Sequence, residues 1–309
     1  MKVSLIATVK DAGEHIREFI DSVRAQTRPP DEVVIVDGGS TDGTLEALRE
    51  APEFTVISEP GANIARGRNL AIRSASHDVI AVTDADCVLA PDWLEHLLEP
   101  MERGAAISAG FYRPIATSLL QRCAAAAALP EDDELRPGWM PSARSIAFRR
   151  DAFDAAGGYP EWLEVGEDMY LNHRLQAGGT RMDLAPDAVT YWRVRPTLAA
   201  TWRQYARYAR GDALAGMYPE RHAIRFVTYG FALVALRSRR PALLGLAAAG
   251  AAAYAARPFR RARRRWSAGR PGDAAAEAVG VPAMMAFIDA AKMWGYVDGL
   301  VARYLGRID

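Results

Sequence analysis

Cysteine is scarce in this sequence. The 309-residue chain holds two, Cys87 and Cys123, too few and too far apart for a disulfide-built scaffold, and both read as free thiols in a reducing compartment. The first apolar run, Val3 to Val9, is too short for a signal peptide and no small-residue cleavage site follows it, so export is not expected. Long apolar runs are missing too. Phe226 to Leu236 is stopped by Arg237, and Pro241 to Ala256, although uncharged and alanine-rich, falls short of the roughly 20 residues that cross a bilayer core. Acid is absent from one region altogether: no Asp or Glu stands between Glu220 and Asp273, whereas the whole chain balances 38 Lys and Arg against 38 Asp and Glu. The zero net charge therefore conceals a basic third.

What remains is ordinary for a folded protein: 50% hydrophobic and 25% charged residues, which excludes global disorder and leaves room for one large core plus an appended segment. The N-terminal half alternates strand and helix signals. Val3 to Val9 is strand-like, and Ile16, Phe19, Ile20 and Val23 repeat at helical spacing over Glu14 to Gln26. Strands follow at Glu32 to Val36, Phe54 to Ser58 and Val79 to Thr83, with helices at Gly43 to Glu50, Asn63 to Ala75 and Pro91 to Arg103. Such alternation predicts an α/β fold with a mostly parallel central sheet and helices on both faces. Ligands bind beyond the carboxyl ends of strands in sheets of this kind, where Asp37, Glu59 and the Asp84 to Asp86 group fall.

Three acidic motifs carry candidate chemistry. Asp37-Gly-Gly-Ser-Thr-Asp-Gly43 follows a strand; Asp37 suits a nucleotide base or ribose, while the same residues also suit a plain strand-to-helix loop whose Ser, Thr and Asp cap the next helix. Asp84-Ala85-Asp86 sets two carboxylates at a strand end, either a turn or oxygen ligands for Mg²⁺ or Mn²⁺, cations that complete their shells with phosphate oxygens and water. Two like charges held so close call for a cation or donors to relieve them. Gly166-Glu167-Asp168 opens a helix. The helix dipole favours acid there, and a carboxylate facing a cleft from that position can act as a general base; Asp168 is the candidate.

The ordered series Asp37-Gly-Gly-Ser, Gly61 with Arg68-Asn69, Asp84-Ala-Asp86 and Glu167-Asp168, over roughly residues 1 to 215, resembles the family 2 glycosyltransferases, which have the Rossmann-like GT-A fold. The resemblance implies that Asp37 binds the base of a nucleotide-diphosphate sugar, that Asp86 holds Mn²⁺ or Mg²⁺ against the diphosphate with Asp84 near the ribose or the metal, and that Asp168, beside Glu167, deprotonates the acceptor for in-line, inverting attack. Thr8, Val9, Gly61, Arg68, Asn69 and Ala85 are implied in donor binding. Two departures are visible. Ala7-Thr8-Val9-Lys10 lacks the proline many members carry there. Gln204-Tyr-Ala-Arg207-Tyr208 has tyrosine where processive members have tryptophan, so a long polymer product is not implied, although Gln204 and Arg207 remain substrate-binding candidates. Arg203, Arg207 and Arg210 share a helical face, either near the diphosphate or as a solvated or lipid-facing basic patch.

The basic third, from Phe226 to Trp266, combines apolar runs with the cluster Arg257-Pro-Phe-Arg260-Arg261-Ala-Arg263-Arg264-Arg265-Trp266, a pattern that attracts anionic lipid headgroups. Over Val281 to Leu305, Met284, Phe287, Ile288, Ala291, Trp294, Val297 and Val301 form an apolar stripe, with Asp289, Lys292, Tyr296 and Arg303 facing elsewhere. The expected organisation is a catalytic domain over 1–215 and a helical, membrane-associating extension over 216–309. The expected partners are a nucleotide-sugar, a glycan or lipid-linked acceptor and the cytoplasmic face of a membrane. Nucleic acid is not expected. Nucleotidyl transfer is the competing chemistry, but Thr8 to Gly13 lacks the glycine-rich basic loop it calls for; a non-catalytic nucleotide-sugar-binding scaffold is the third reading.

Overall fold

The computed structural model describes residues 1–136, 138–266 and 271–306. It divides into two compact units, Met1–Ile115 with Asp132–Arg193, and Ala116–Glu131 with Val194–Asp309. The sequence placed its boundary at 215; the packing places it after Arg193 and gives a short excursion, 116–131, to the second unit.

The chain begins β1 (Val3–Val9), α1 (His15–Arg24), β2 (Glu32–Asp37), α2 (Thr44–Arg49), β3 (Thr55–Ser58), α3 (Ile64–Ser74) and β4 (Val79–Asp84), matching the sequence reading to within two residues at each boundary. It continues with β5 (Cys87–Leu89), α4 (Trp93–Glu102), β6 (Ile107–Ile115), α5 (Leu119–Ala128), β7 (Ile146–Arg149), α6 (Arg150–Ala155), α7 (Glu167–Ala177) and β8 (Met182–Arg193). All except α5 belong to the first unit. Its eight-stranded sheet runs β3-β2-β1-β4-β7-β6-β8-β5. The pairs β3-β2, β2-β1 and β1-β4 are parallel as expected. Beyond β4 the sheet is mixed, because β7 runs antiparallel to both β4 and β6, and β5 antiparallel to β8.

Side-chain alternation along β1 shows why both faces are covered. Val3, Leu5, Ala7 and Val9 point into one core with Ile16 and Phe19 of α1, Leu48 of α2 and Trp93 of α4. Ile6 points into the other, with Ala71 and Ile72 of α3, Phe153 of α6 and Leu171 and Leu175 of α7. The loops after β1 and β2 are laced together: Gly13 N–H donates to Asp42 Oδ2 at 2.7 Å, Ala12 N–H to Thr44 Oγ1 at 3.0 Å, Asp11 N–H to Ser40 Oγ at 2.9 Å and Thr41 N–H to Asp11 Oδ1 at 2.9 Å. Ser40, Thr41, Asp42 and Thr44 thus fasten one strand-end loop to its neighbour.

The second unit gathers α5 with α8 (Leu198–Ala215), α9 (Pro219–Ser238), α10 (Pro241–Trp266) and α11 (Pro271–Tyr304). The sequence breaks α10 into an apolar run and a basic cluster, but the helix is continuous for 26 residues. The windows Pro241–Arg265 and Ala274–Tyr304 are each long and apolar enough to cross a membrane by length and composition. Part of the basic cluster is engaged by protein: Arg265 pairs with Glu131 and donates to Leu129 O, and Arg261 donates to Ala126 O. The ring of Trp266 lies outside the described side chains.

The stripe expected on α11 is rotated. Met284, Ile288 and Ala291 are buried, yet Trp294, Val297 and Val301 are 66%, 46% and 51% exposed, and Asp289 is 2% exposed. Glycine decides the rotation: a Cβ on Gly295 would meet Ala206 O at 2.0 Å and one on Gly299 would meet Arg210 O at 2.6 Å, so the small-residue face packs on α8. Asp289 is buried because it accepts from Arg225 Nε at 2.7 Å and from the hydroxyls of Tyr229 and Tyr254 at 3.0 and 2.8 Å. Tyr296 stacks on His222 with centroids 3.9 Å apart. The outward face contributes to an open apolar groove of about 470 Å³ lined by Trp202, Phe226, Tyr229, Met293, Trp294 and Val297 among others.

Candidate active site

The parallel register brings the first candidates together at the carboxyl ends of β1, β2 and β4. Thr8 lies opposite Val36 and Asp84, and Val9 opposite Asp37. Asp37 is fully buried and its carboxylate accepts from the N–H groups of Gly39 at 3.0 Å and Ser40 at 3.1 Å. It therefore shapes its own turn. Gly61 sits in the exposed turn after β3, its N–H on Gly38 O at 3.2 Å.

One side chain joins two of the acidic motifs. Arg68, on α3, is 1% exposed; its Nη2 donates to Asp84 Oδ1 at 2.5 Å and its Nη1 donates to Glu167 Oε1. Its guanidinium also lies 5.3 Å from the Tyr159 ring centroid. A charge buried this deeply persists only when its partners neutralise it. The strand-end pair and the α7 pair, more than eighty positions apart in sequence, are thereby anchored to one cation. Burial pushes the Glu167 carboxyl up to about 7, with Arg68 opposing the rise and Asp168 adding to it. Asp168 is less buried. Its Oδ2 accepts from Ala143 N–H at 3.2 Å and its Oδ1 from Met169 N–H at 2.8 Å, which fixes the carboxylate at the helix start.

Arg68 and Asn69 were both expected at the donor, and the structure gives both other work. The Asn69 amide donates to Tyr159 O and Glu161 Oε1, each at 2.9 Å, and accepts from Tyr159 N–H at 3.0 Å, tethering the segment that leads into α7. Asp86 Oδ2 accepts from Trp192 Nε1 at 3.1 Å, and Ala85 between the two aspartates is buried. Gln204 and Arg207 are on α8, in the second unit; Gln204 Nε2 donates to Tyr208 OH at 2.8 Å. The expected basic face of α8 is divided, since Arg210 Nε donates to Asp298 Oδ2 at 3.0 Å.

The donor set fits a hard cation that arrives with its own ligands. Among the described residues no three His, Cys, Asp or Glu side chains gather to cage a metal. Asp86 and Asp84 supply oxygen alone, the ligand type and number that Mg²⁺ and Mn²⁺ take when phosphate oxygens and water complete the shell. Cys87, next in sequence, is buried, and desolvation together with the charges of Asp86 and Asp84 drives its thiol well above the ordinary value. Both cysteines are free thiols, as expected.

Three residues at this site escaped the sequence reading. Trp192, next to the last residue of β8, holds Asp86; Arg144 lies over its ring at 4.5 Å from the centroid and 3.8 Å from Asp84 Oδ2; Tyr159 lies beneath Arg68. None belongs to a spaced motif. Each arrives through antiparallel or loop geometry that periodicity does not encode.

The chain is similar to known proteins over much of its length. A family described as "Glycosyl transferase family 2" matches residues 4–125, and one described as "Glycosyl transferase family group 2" matches 79–258, more than half of the chain. The succinoglycan biosynthesis protein ExoA of Rhizobium meliloti (strain 1021) is 29% identical over 218 residues, 64% of this chain and 65% of that protein. Glycosyltransferase AglE of Haloferax volcanii is 26% identical over 206 residues, 63% of this chain and 67% of that protein. The chain thus spans about two thirds of these relatives' length, slightly less for ExoA. The mannosyltransferase PcManGT from Pyrobaculum calidifontis, solved in complex with GDP-Man and Mn²⁺, is 25% identical with a TM-score of 0.55, covering 99% of this chain and 88% of that one. With the mixed sheet, the strand-end carboxylates and the family match in agreement, the chain belongs to the family 2 glycosyltransferases and has the GT-A fold.

Proposed function

We propose that this protein transfers a sugar from a nucleoside-diphosphate sugar to an acceptor hydroxyl, with inversion at the anomeric carbon and dependence on a divalent cation. The observation that carries this reading is the Arg68 bridge, which anchors the Asp84-Ala-Asp86 segment and the Glu167-Asp168 helix start to one buried guanidinium.

Each residue then has a distinct task. The ends of β1 and β2, with the turn that the buried Asp37 carboxylate shapes, receive the base and ribose. Asp86, steadied by Trp192, and Asp84 would hold Mn²⁺ or Mg²⁺, which supplies charge neutralisation at the donor diphosphate when bound. Support for the cation comes from PcManGT, which holds GDP-Man and Mn²⁺. Asp168 accepts the proton of the acceptor hydroxyl, its two backbone hydrogen bonds fixing the direction of the carboxylate. Glu167, buried against Arg68, positions the helix start.

The acceptor is a glycan, lipid-linked or close to a membrane, met at the cytoplasmic face. The exposed apolar surface of α9 to α11 and the two membrane-length windows support nearness to a membrane. The test is release of nucleoside diphosphate from a panel of UDP- and GDP-sugars with Mn²⁺ and lipid-linked acceptors. Turnover with one donor is expected; no release from any donor, combined with no nucleotide binding, removes the reading.

A further inference from the structure

The segment from Tyr159 to Leu163, which leads toward α7, is fixed on either side of one exposed ring. Asn63 Nδ2 donates to Glu161 O at 2.6 Å, and Asn69 grips the Tyr159 backbone and the Glu161 carboxylate. Leu163 N–H donates to Pro160 O at 3.0 Å, and the Leu163 side chain is buried. Between these anchors Trp162 stands 40% exposed, whereas Trp93 and Trp192 of the same unit are buried. Burial of an indole is favourable, so a ring that a tethered loop holds in water adds little to the fold and is suited to recognition.

The surroundings of the ring indicate its ligand. Tyr170, half-buried on α7, packs edge-on against Trp162 with centroids 5.6 Å apart and planes at 84°. Among the described residues, neither the Trp162 indole N–H nor the Tyr170 hydroxyl has a hydrogen-bond partner. An apolar ring face flanked by two uncommitted polar groups matches a sugar, whose C–H face stacks on an aromatic plane while its hydroxyls hydrogen-bond at the edge. An anionic lipid surface matches less well, because exposed Glu161 and Glu164 flank the ring.

The fold also places the pair relative to the candidate base. Asn63 caps α3 just after β3, so the loop it tethers lies at the carboxyl-end edge of the sheet, where Asp37 and the Asp84 pair stand. Asp168 and Tyr170 share the first turn of α7, but two positions apart on a helix means opposite sides. Asp168 faces Ala143, and Tyr170 faces Trp162. The width of a helix, about 10 Å, thus separates the aromatic pair from the base. One sugar ring does not bridge that gap.

We infer that Trp162 and Tyr170 form a remote acceptor subsite: a sugar at least one unit removed from the reacting hydroxyl stacks on Trp162 and hydrogen-bonds to the two free polar groups. The inference rests on the transfer reading above and gives the acceptor a chemistry, a glycan of two or more sugar units instead of a bare lipid phosphate.

The experiment measures binding of gluco-, galacto-, manno- and N-acetylglucosaminyl mono-, di- and trisaccharides by ligand-observed NMR, with Mn²⁺ and UDP or GDP present. Wild type, Trp162→Ala and Trp162→Phe are compared, and nucleotide affinity is read by calorimetry for each. Wild type is expected to bind one di- or trisaccharide at least about tenfold more tightly than its monosaccharide. Trp162→Ala is expected to abolish that advantage at unchanged monosaccharide and nucleotide affinity, and Trp162→Phe to keep part of it. An advantage within twofold of wild type in Trp162→Ala overturns the inference, as does a wild type with no preference for the longer glycans. Parallel loss of nucleotide affinity also overturns it, since the ring would then serve the donor or merely hold the loop. If Trp162→Ala does not fold, Trp162→Phe decides, and an undiminished advantage there overturns it too. A wild type that binds neither UDP nor GDP removes the transfer reading itself, so the two failures are distinguishable.

Discussion

Arg68 is the residue on which the site depends most. Replacing it with Gln removes the buried counterion that Asp84 and Glu167 share; breaking such a buried pair costs about 3–5 kcal/mol. Arg68→Gln is therefore expected to lose stability of that order, read as a lower denaturant midpoint at unchanged slope. Asp168→Asn tests the base from the other side. It keeps size and hydrogen bonding but cannot take a proton, so turnover is expected to fall about a hundred- to ten-thousandfold while donor affinity holds. Glu167 gives a pH signature. Its folded value, about 7, stands above the ordinary 4.5; between those values the folded state keeps a proton that the unfolded state releases, so its contribution to stability is present below about pH 4.5 and lost as pH rises through about 7. Denaturation of wild type and Glu167→Gln across that window should show the stability cost of the substitution shrinking as pH rises. At this scale the sequence was legible where chemistry is written as motifs, and Asp37, Asp84, Asp86, Glu167 and Asp168 all stood out. It was not legible for Arg144, Trp192 and Tyr159, ordinary residue types that matter because β8, the 138–145 loop and the loop before α7 bring them to the strand ends.

Among the elements, β1 to β4 and α1 to α3 were readable because each has a dominant local signal: an unbroken β-branched run, an amphipathic repeat, or a cap such as Asn63, whose side chain accepts from Arg66 N–H. The strands from β5 onward were not, because β5 and β7 are short and pair antiparallel with partners distant in sequence. Helix α11 shows the limit of the apolar stripe. Large apolar residues mark a face, but close approach of two helices selects for the smallest ones, and Gly295 and Gly299 set the contact with α8. Gly295→Val is expected to cost about 1–3 kcal/mol by forcing the backbones apart, seen as a lowered melting temperature. Gly245→Ala in α10, where a Cβ meets nothing within 4 Å, serves as the control and should be neutral or slightly stabilising.

For the molecule as a whole, composition announced a basic, apolar C-terminal third, and the helices give it form. Arg257 and Arg263 of α10 are exposed, and a basic side chain near an anionic surface contributes about 1 kcal/mol. Arg257→Gln with Arg263→Gln is thus expected to weaken co-flotation with vesicles rich in anionic lipid by roughly thirtyfold, with no change on neutral vesicles. Equal binding of both proteins to anionic vesicles would assign membrane contact to the apolar surface alone.

The sequence by itself determined the alternation of strand and helix, the acidic motifs and their order, and the uneven charge, since all of these depend on neighbours along the chain. Only the tertiary structure decided that one buried arginine ties two motifs together, that α8 packs with the helices after it, and which face of α11 lies inside. Those outcomes depend on which distant groups come within a few ångströms, and on the cost of burying a charge or a side chain where no matching partner or space exists.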